Sequence, residues 1–269
     1  RNRGYLNFSR GFLDFDILKE VIGDAQRSGT RYGIVRLSWQ GDPLLHPQVE
    51  DILRWLADAY RETAFCSSIE IVTAGALLNH NYCKITAAAG DVPFTWVIQA
   101  DAHDKDSYLQ NHDEQLWDRV LDNVNYLLHE INQKQPGRLR LIIQDTITEA
   151  TAGDVGRFRD FWTEHLGSYG IVPKVATQGL PTGGGHWLHF RRPDPADLEG
   201  IRGAKATYAE ALRSLDIDPS EGAPDDTKRR TCAGYWKTPT ISWDGKILLC
   251  PVDVQQTMKV GEVTSGPLG

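Results

Sequence analysis

With 269 residues, 41% of them hydrophobic, and 8 tryptophans, the chain can bury a large core as one sizeable domain or as one domain with an appendage. A formal net charge of −7 offers no basic face for phosphate backbones and argues against nucleic acid as a partner. No apolar run approaches the ~20 residues that span a bilayer, the opening residues lack the apolar core of a signal peptide, and 4 cysteines are too few for a disulfide framework. This is the composition of a cytoplasmic protein with reduced thiols.

From Asp14 the apolar positions Leu18, Val21, Ile22 and Ala25 fall at helical spacing, with Gly29 as a C-terminal cap. The first strand follows, at Tyr32 to Leu37, and the next helix carries Val49, Ile52, Leu53, Leu56 and Ala57 on one face. Then come a strand at Ser68 to Val72, a short helix around Leu77 to Ala89, and a strand at Phe94 to Gln99. A long helix with Trp117, Val120, Leu121, Val124, Leu127 and Ile131 inward precedes a strand at Leu139 to Ile143. A helix through Val155, Phe158 and Trp162 leads to the last strand of the series, Ile171 to Val175.

Alternating strands and helices with apolar strands predict a parallel sheet covered by helices, either an open doubly wound sheet or a barrel. Because the series begins on a helix, the first strand of such a unit and its loop are expected to lie upstream of Arg1. The glycine-rich stretch Gly179 to Gly185 has no Lys-Ser or Lys-Thr after it and reads as a flexible connection. Beyond it come a helix near Ala204 to Leu215 and a two-residue hairpin at Asp244-Gly245, flanked by Ile241 and Trp243 before it and Ile247 and Leu249 after it. The expected organisation is an α/β domain over residues 1–178, a linker and helix over 179–225, and a small extension over 226–269.

The strand-to-helix junction Gln40-Gly41-Asp42-Pro43-Leu44-Leu45-His46-Pro47 resembles the Gly-Gly-Glu-Pro-Leu-Leu-His-Pro segment of radical S-adenosylmethionine (SAM) enzymes, with Gln40 for a Gly and Asp42 for the Glu. Val72 to Leu78 resembles the family's Thr-Asn-Gly-x-Leu-Leu segment, and Val97 to His112 its fourth strand and following loop, although Gln110, Asn111 and His112 stand where an Arg is expected. Cys232 and Cys250 have 17 residues between them, and Gly245 has four between it and Cys250. That spacing resembles the opening of the SPASM and twitch extensions that hold auxiliary iron–sulfur clusters.

The resemblance implies a partial (β/α)6 barrel, its first strand missing, followed by a β-hairpin cluster-binding extension. It implies SAM contacts from Trp39, Gln40, Gly41, Asp42, Pro43, Thr73, Gln99 and Asp101, and auxiliary cluster ligation by Cys232 and Cys250. The Cys-x(3)-Cys-x(2)-Cys that binds the catalytic [4Fe–4S] cluster is absent from these residues and is expected upstream, and further auxiliary cysteines are expected after Gly261 to Gly266. Free carbonyls at a strand's carboxyl end can accept from the SAM ammonium. Asp101, two residues after Gln99, is expected on the same face of an extended segment.

The implied activity is hydrogen abstraction from a small polyol, sugar or aminocyclitol, or alternatively maturation of a ribosomal peptide or protein. An electron donor such as flavodoxin or ferredoxin goes with it. Asp101 and His103 are the candidate catalytic residues. A cofactor-free barrel aldolase or isomerase using Asp42, Asp101 and His103, or a barrel that only binds a partner, are the readings from other classes. Cys66 and Cys83 read as apolar core residues, His46 as structural, and His186 and His189 as carrying no motif.

Overall fold

The computed structural model describes residues 11–112, 115–177, 179–181, 183–193, 198–219, 237–253 and 255–263. Helix α1 (Phe15–Ser28) starts where the Asp14 carboxylate accepts from the Asp16 N–H and ends at Gly29 in the left-handed region. It is followed by β1 (Tyr32–Arg36), α2 (Val49–Thr63), β2 (Cys66–Thr73), α3 (His80–Ala88) and β3 (Phe94–Gln99). Next come α4 (Lys105–His112), α5 (Trp117–Lys134), β4 (Arg140–Thr146) and α6 (Val155–Gly167). The remaining elements are β5 (Lys174–Ala176), β6 (Trp187–Arg191), α7 (Leu198–Ser214), β7 (Thr240–Ile241), β8 (Lys246–Leu248) and β9 (Lys259–Glu262).

Strands β1 to β6 form one parallel sheet in the order β1-β2-β3-β4-β6-β5. The segment expected as a linker therefore contributes a strand, β6, inserted between β4 and β5. Its alternation explains it: Leu188 and Phe190 are fully buried in the core, while Trp187, His189 and Arg191 take the other face. Val175, expected inside the last strand, lies on the edge strand β5 and is exposed.

One face of the sheet, with Ile69, Ile71, Phe94, Trp96, Ile98, Leu141 and Ile143, joins the inward residues of the helices in a single core. The opposite face is mixed, with Val72, Val97, Ile142 and Trp187 forming an apolar row between two polar ones. The opposite face carries Arg36, Glu70, Thr95 and Arg140 side by side in register across β1 to β4, and Gln99, Gln144 and His189 in a second row toward the carboxyl ends.

Strands β7, β8 and β9 form a separate antiparallel sheet. The expected two-residue hairpin has three connecting residues instead. Ser242 pairs with Lys246, the Gly245 N–H returns to the Ser242 carbonyl, and Gly245 takes φ 79°. A three-residue connection that ends on a left-handed glycine suits the twist of the flanking strands. Cys66 and Cys83 are fully buried, as expected, and burial pushes both thiols up to about 12. Among the described residues no helix is long and apolar enough to cross a membrane.

Candidate functional site

The carboxyl ends of β1 and β2 are tied together by short polar contacts. Asp42 caps a single 3-10 turn, Pro43–Leu45, its Oδ1 accepting from the Leu44 N–H at 2.9 Å. Its Oδ2 accepts from the Thr73 hydroxyl at 2.6 Å and from the Ala74 N–H at 3.2 Å. A carboxylate stands in this turn because it pins the loop after β1 to the end of β2. Thr73, buried, also accepts from the Gly75 N–H, so its hydroxyl serves the turn.

Gly75 takes φ 87°, and a Cβ there would come within 3.1 Å of Ile98 and Val120, which requires glycine. Asn123 on α5 donates to the Gly75 carbonyl and holds this second loop. His46 accepts from the Gln48 N–H through Nδ1, so Nε2 carries the proton and donates to the Leu13 carbonyl; its role is structural, as expected.

Among the described residues nothing donates to the carbonyls of Trp39 or Gly41. Space is open around Gly41: a Cβ there would meet nothing within 4 Å. Trp39 reaches the other way, its indole Nε1 donating to the Pro251 carbonyl at 2.6 Å, next to Cys250. This tie between the two sheets has no sequence signal, since 212 positions separate its partners.

The end of β3 departs from expectation. Gln99 is partly buried on the polar face, in register with Gln144, whose Oε1 lies 3.2 Å from His189 Nδ1. Asp101 does not share that face. It adopts φ 46°, which turns its side chain toward the helices, where Oδ1 accepts from the Thr146 N–H at 2.7 Å. Asn111 and His112 on α4 hold the carbonyls of Asp101 and Ala100, so the stretch expected to contribute an Arg clamps the backbone instead.

Asp101 and His103 line a small, partly open space of about 10 Å³ with Asn111, Asp145, Thr151 and Asp154, room for about one water molecule. His103 lies 3.3 Å from Asp104. Sequence reasoning missed Asp145, which is 2% exposed with an unpartnered Oδ1. Burial, then the charges of Asp101 and Asp154, hold its carboxyl well above the usual range. Burial also raises Asp101, against the Thr146 N–H and the positive charges of His112 and Arg191. Asp42 is not part of this lining, so the acid–base trio imagined for a cofactor-free barrel is not assembled.

Of the expected cluster ligands, Cys232 lies outside the described residues. Cys250, a free and partly buried thiol, sits at the start of the loop between β8 and β9. Among the described residues no three His, Cys, Asp or Glu side chains gather as a metal site.

No protein-family model matches the chain, and no curated protein matches it significantly. Solved structures do. Polyhistidine-tagged anSMEcpe with bound AdoMet is 12% identical with a TM-score of 0.62, the match covering 97% of this chain and 68% of that one. Streptococcus suis SuiB bound to S-adenosylmethionine is 14% identical with a TM-score of 0.57, covering 94% of this chain and 56% of that one. Native anSMEcpe with bound AdoMet and the Kp18Cys peptide is 12% identical with a TM-score of 0.56 and the same 97% coverage of this chain. These neighbours are radical SAM enzymes of the SPASM type, and at such identities the likeness is one of fold: the chain is built on the fold they share.

Proposed function

We propose that the chain is the core of a radical SAM enzyme, its six-stranded sheet curved into a partial (β/α)6 barrel with the polar face inward. The observation that carries this reading is the loop Trp39 to Pro43. It presents backbone carbonyls and open space at the carboxyl edge of a fold whose solved relatives hold AdoMet. Those carbonyls suit the ammonium of SAM, which needs acceptors and no charge of its own sign. Asp42 and Thr73 keep the loop in place from behind, and Gln99 faces the same side as a neutral hydrogen-bonding group. Bound to a [4Fe–4S] cluster whose ligands lie outside these residues, SAM would supply a 5′-deoxyadenosyl radical that takes hydrogen from a substrate carbon.

The electron would come from a small donor such as flavodoxin or ferredoxin, and the setting would be cytoplasmic. Cys250, with Cys232, would hold an auxiliary iron–sulfur cluster. The polyol, sugar or aminocyclitol reading of the substrate rests on the sequence resemblance alone. The peptide or protein reading gains support from the two neighbours solved with a peptide beside AdoMet.

Two outcomes test this. Gly41→Val adds a branched side chain whose Cβ would meet no heavy atom within 4 Å beyond its chain neighbours, so the variant should melt like the parent. Its SAM dissociation constant by titration calorimetry should rise about tenfold or more; unchanged affinity would remove the loop from the SAM site. Full-length protein reconstituted anaerobically should hold more than one cluster, and Cys250→Ala should lose one cluster's iron while still binding SAM. An unchanged iron content would release Cys250 from ligation.

A further inference from the structure

The bond from Trp39 Nε1 to the Pro251 carbonyl joins two loops that are each firmly organised by other contacts. On one side, Asp42 locks the loop after β1 to β2 through both carboxylate oxygens. On the other, buried Asp253 organises the loop between β8 and β9. Its carboxylate accepts from the Thr257 hydroxyl at 2.9 Å and the Met258 N–H at 2.7 Å, and its own N–H returns to the Cys250 carbonyl at 3.1 Å. Leu249 donates to Met258 and closes the base of that loop.

The indole nitrogen, 2.6 Å from the carbonyl oxygen, is therefore a direct link between two loops that are each held by their own contacts. Trp39 also begins the stretch whose outward carbonyls were assigned to the SAM ammonium. A ligand pulling on those carbonyls acts on the residue that grips Pro251.

We propose that Trp39 is a positioning residue that couples SAM binding to the order of the Cys250–Met258 loop. This rests on the radical SAM reading above. Coupling of this kind is reciprocal: if SAM quiets the loop, disturbing the loop weakens SAM by the same factor. Trp39→Phe keeps the aromatic ring and removes the donor, and Asp253→Ala loosens the loop without touching the SAM side.

The experiment is a double-mutant cycle on full-length, cluster-loaded protein, with SAM as the probe. Titration calorimetry should find that each single variant weakens SAM by about 2- to 10-fold, the range of one hydrogen bond, and that the double variant is no weaker than Trp39→Phe alone. Hydrogen exchange of the backbone amides of residues 250–258 should slow on adding SAM to the parent, and should not respond to SAM in Trp39→Phe. Melting curves establish that both variants are folded. Additive losses, or loop protection by SAM in Trp39→Phe, would overturn the coupling while leaving the SAM reading intact. A parent that binds no SAM would overturn the reading itself.

Discussion

Arg140→Met should destabilise the folded chain by about 2–3 kcal/mol, the range for leaving buried hydrogen-bond acceptors without their donor. Glu70 is fully buried, and its neighbours in register are Arg36 and Thr95, with Arg140 next in the row. Arg36 donates twice to Oε2, at 2.9 and 2.7 Å, while Oε1 has no hydrogen-bond partner. The Arg36 side chain is 44% exposed, so solvent screens part of its charge.

Arg140 supplies the enclosed positive charge. It donates to Thr95 at 3.0 Å, Ser68 at 2.8 Å and the Gly183 carbonyl at 2.7 Å. Burial lowers its pKa, and the charge of Glu70 works to raise it again. Methionine keeps the stem and the volume but leaves the Ser68 and Thr95 hydroxyls and the Gly183 carbonyl without their donor, and takes a positive charge away from the row that holds Glu70. Urea unfolding should show a lower midpoint with an unchanged slope. The double variant Arg140→Met/Glu70→Leu should lose less than the two single losses added, because the charges of Arg140 and Glu70 act on each other across Thr95. A single variant within about 1 kcal/mol of the parent, a surface-like effect, would show that the row is not an electrostatic unit.

That row also shows where the sequence was readable and where it was not. Elements with a full apolar stripe and clear end signals were placed well. For α1, Asp14 and Gly29 mark both ends; β3 runs from Phe94 to Gln99 as expected; α2 buries the five residues that its spacing singled out. Helix α4 escaped because it buries only Ser107 and Tyr108, so periodicity has nothing to register. Its start is nevertheless encoded in the Asp104–Ser107 exchange, in which each side chain accepts from the other's N–H. Strand β6 escaped because half of it is polar for a partner two elements away: His189 meets Gln144 only once the sheet order is known.

The candidate site divides on the same line. The turn at Asp42 was legible as a motif, since its carboxylate acts on nearby backbone and on the adjacent strand. Gln99 and Asp101 were assigned to one face by strand alternation, and that inference failed when the backbone at Asp101 took a positive φ. The buried carboxyl of Asp145 could not be foreseen, because its environment is assembled from two separate loops and the helices that follow them.

That carboxyl gives the pH dependence its sign. The folded pKa of Asp145 is raised, chiefly by burial and then by the charges of Asp101 and Asp154, while the unfolded chain holds it at about 3.9. Between those two values the folded state binds a proton that the unfolded state does not. Stability attributable to this group is therefore complete below about pH 3.9 and falls by about 1.4 kcal/mol per pH unit until pH passes the raised value. Asp101 faces Asp145 from the end of β3 with Thr146 N–H on its Oδ1, and is pulled toward the charged form by His112 and Arg191. Asp154 approaches from the turn before α6, and His103 from the loop before α4. In the pair it is Asp145, with no donor on its Oδ1, that keeps the proton. Asp145→Asn preserves the shape without the titration, so the variant should be more stable than the parent near neutral pH. The gap should narrow as pH is lowered and close near pH 4. Urea midpoints of both proteins across that range give the comparison. A parent and variant whose difference does not change with pH would mean that Asp145 is ionised in the fold, and that the space it shares with Asp101 holds a counter-charge instead of a proton.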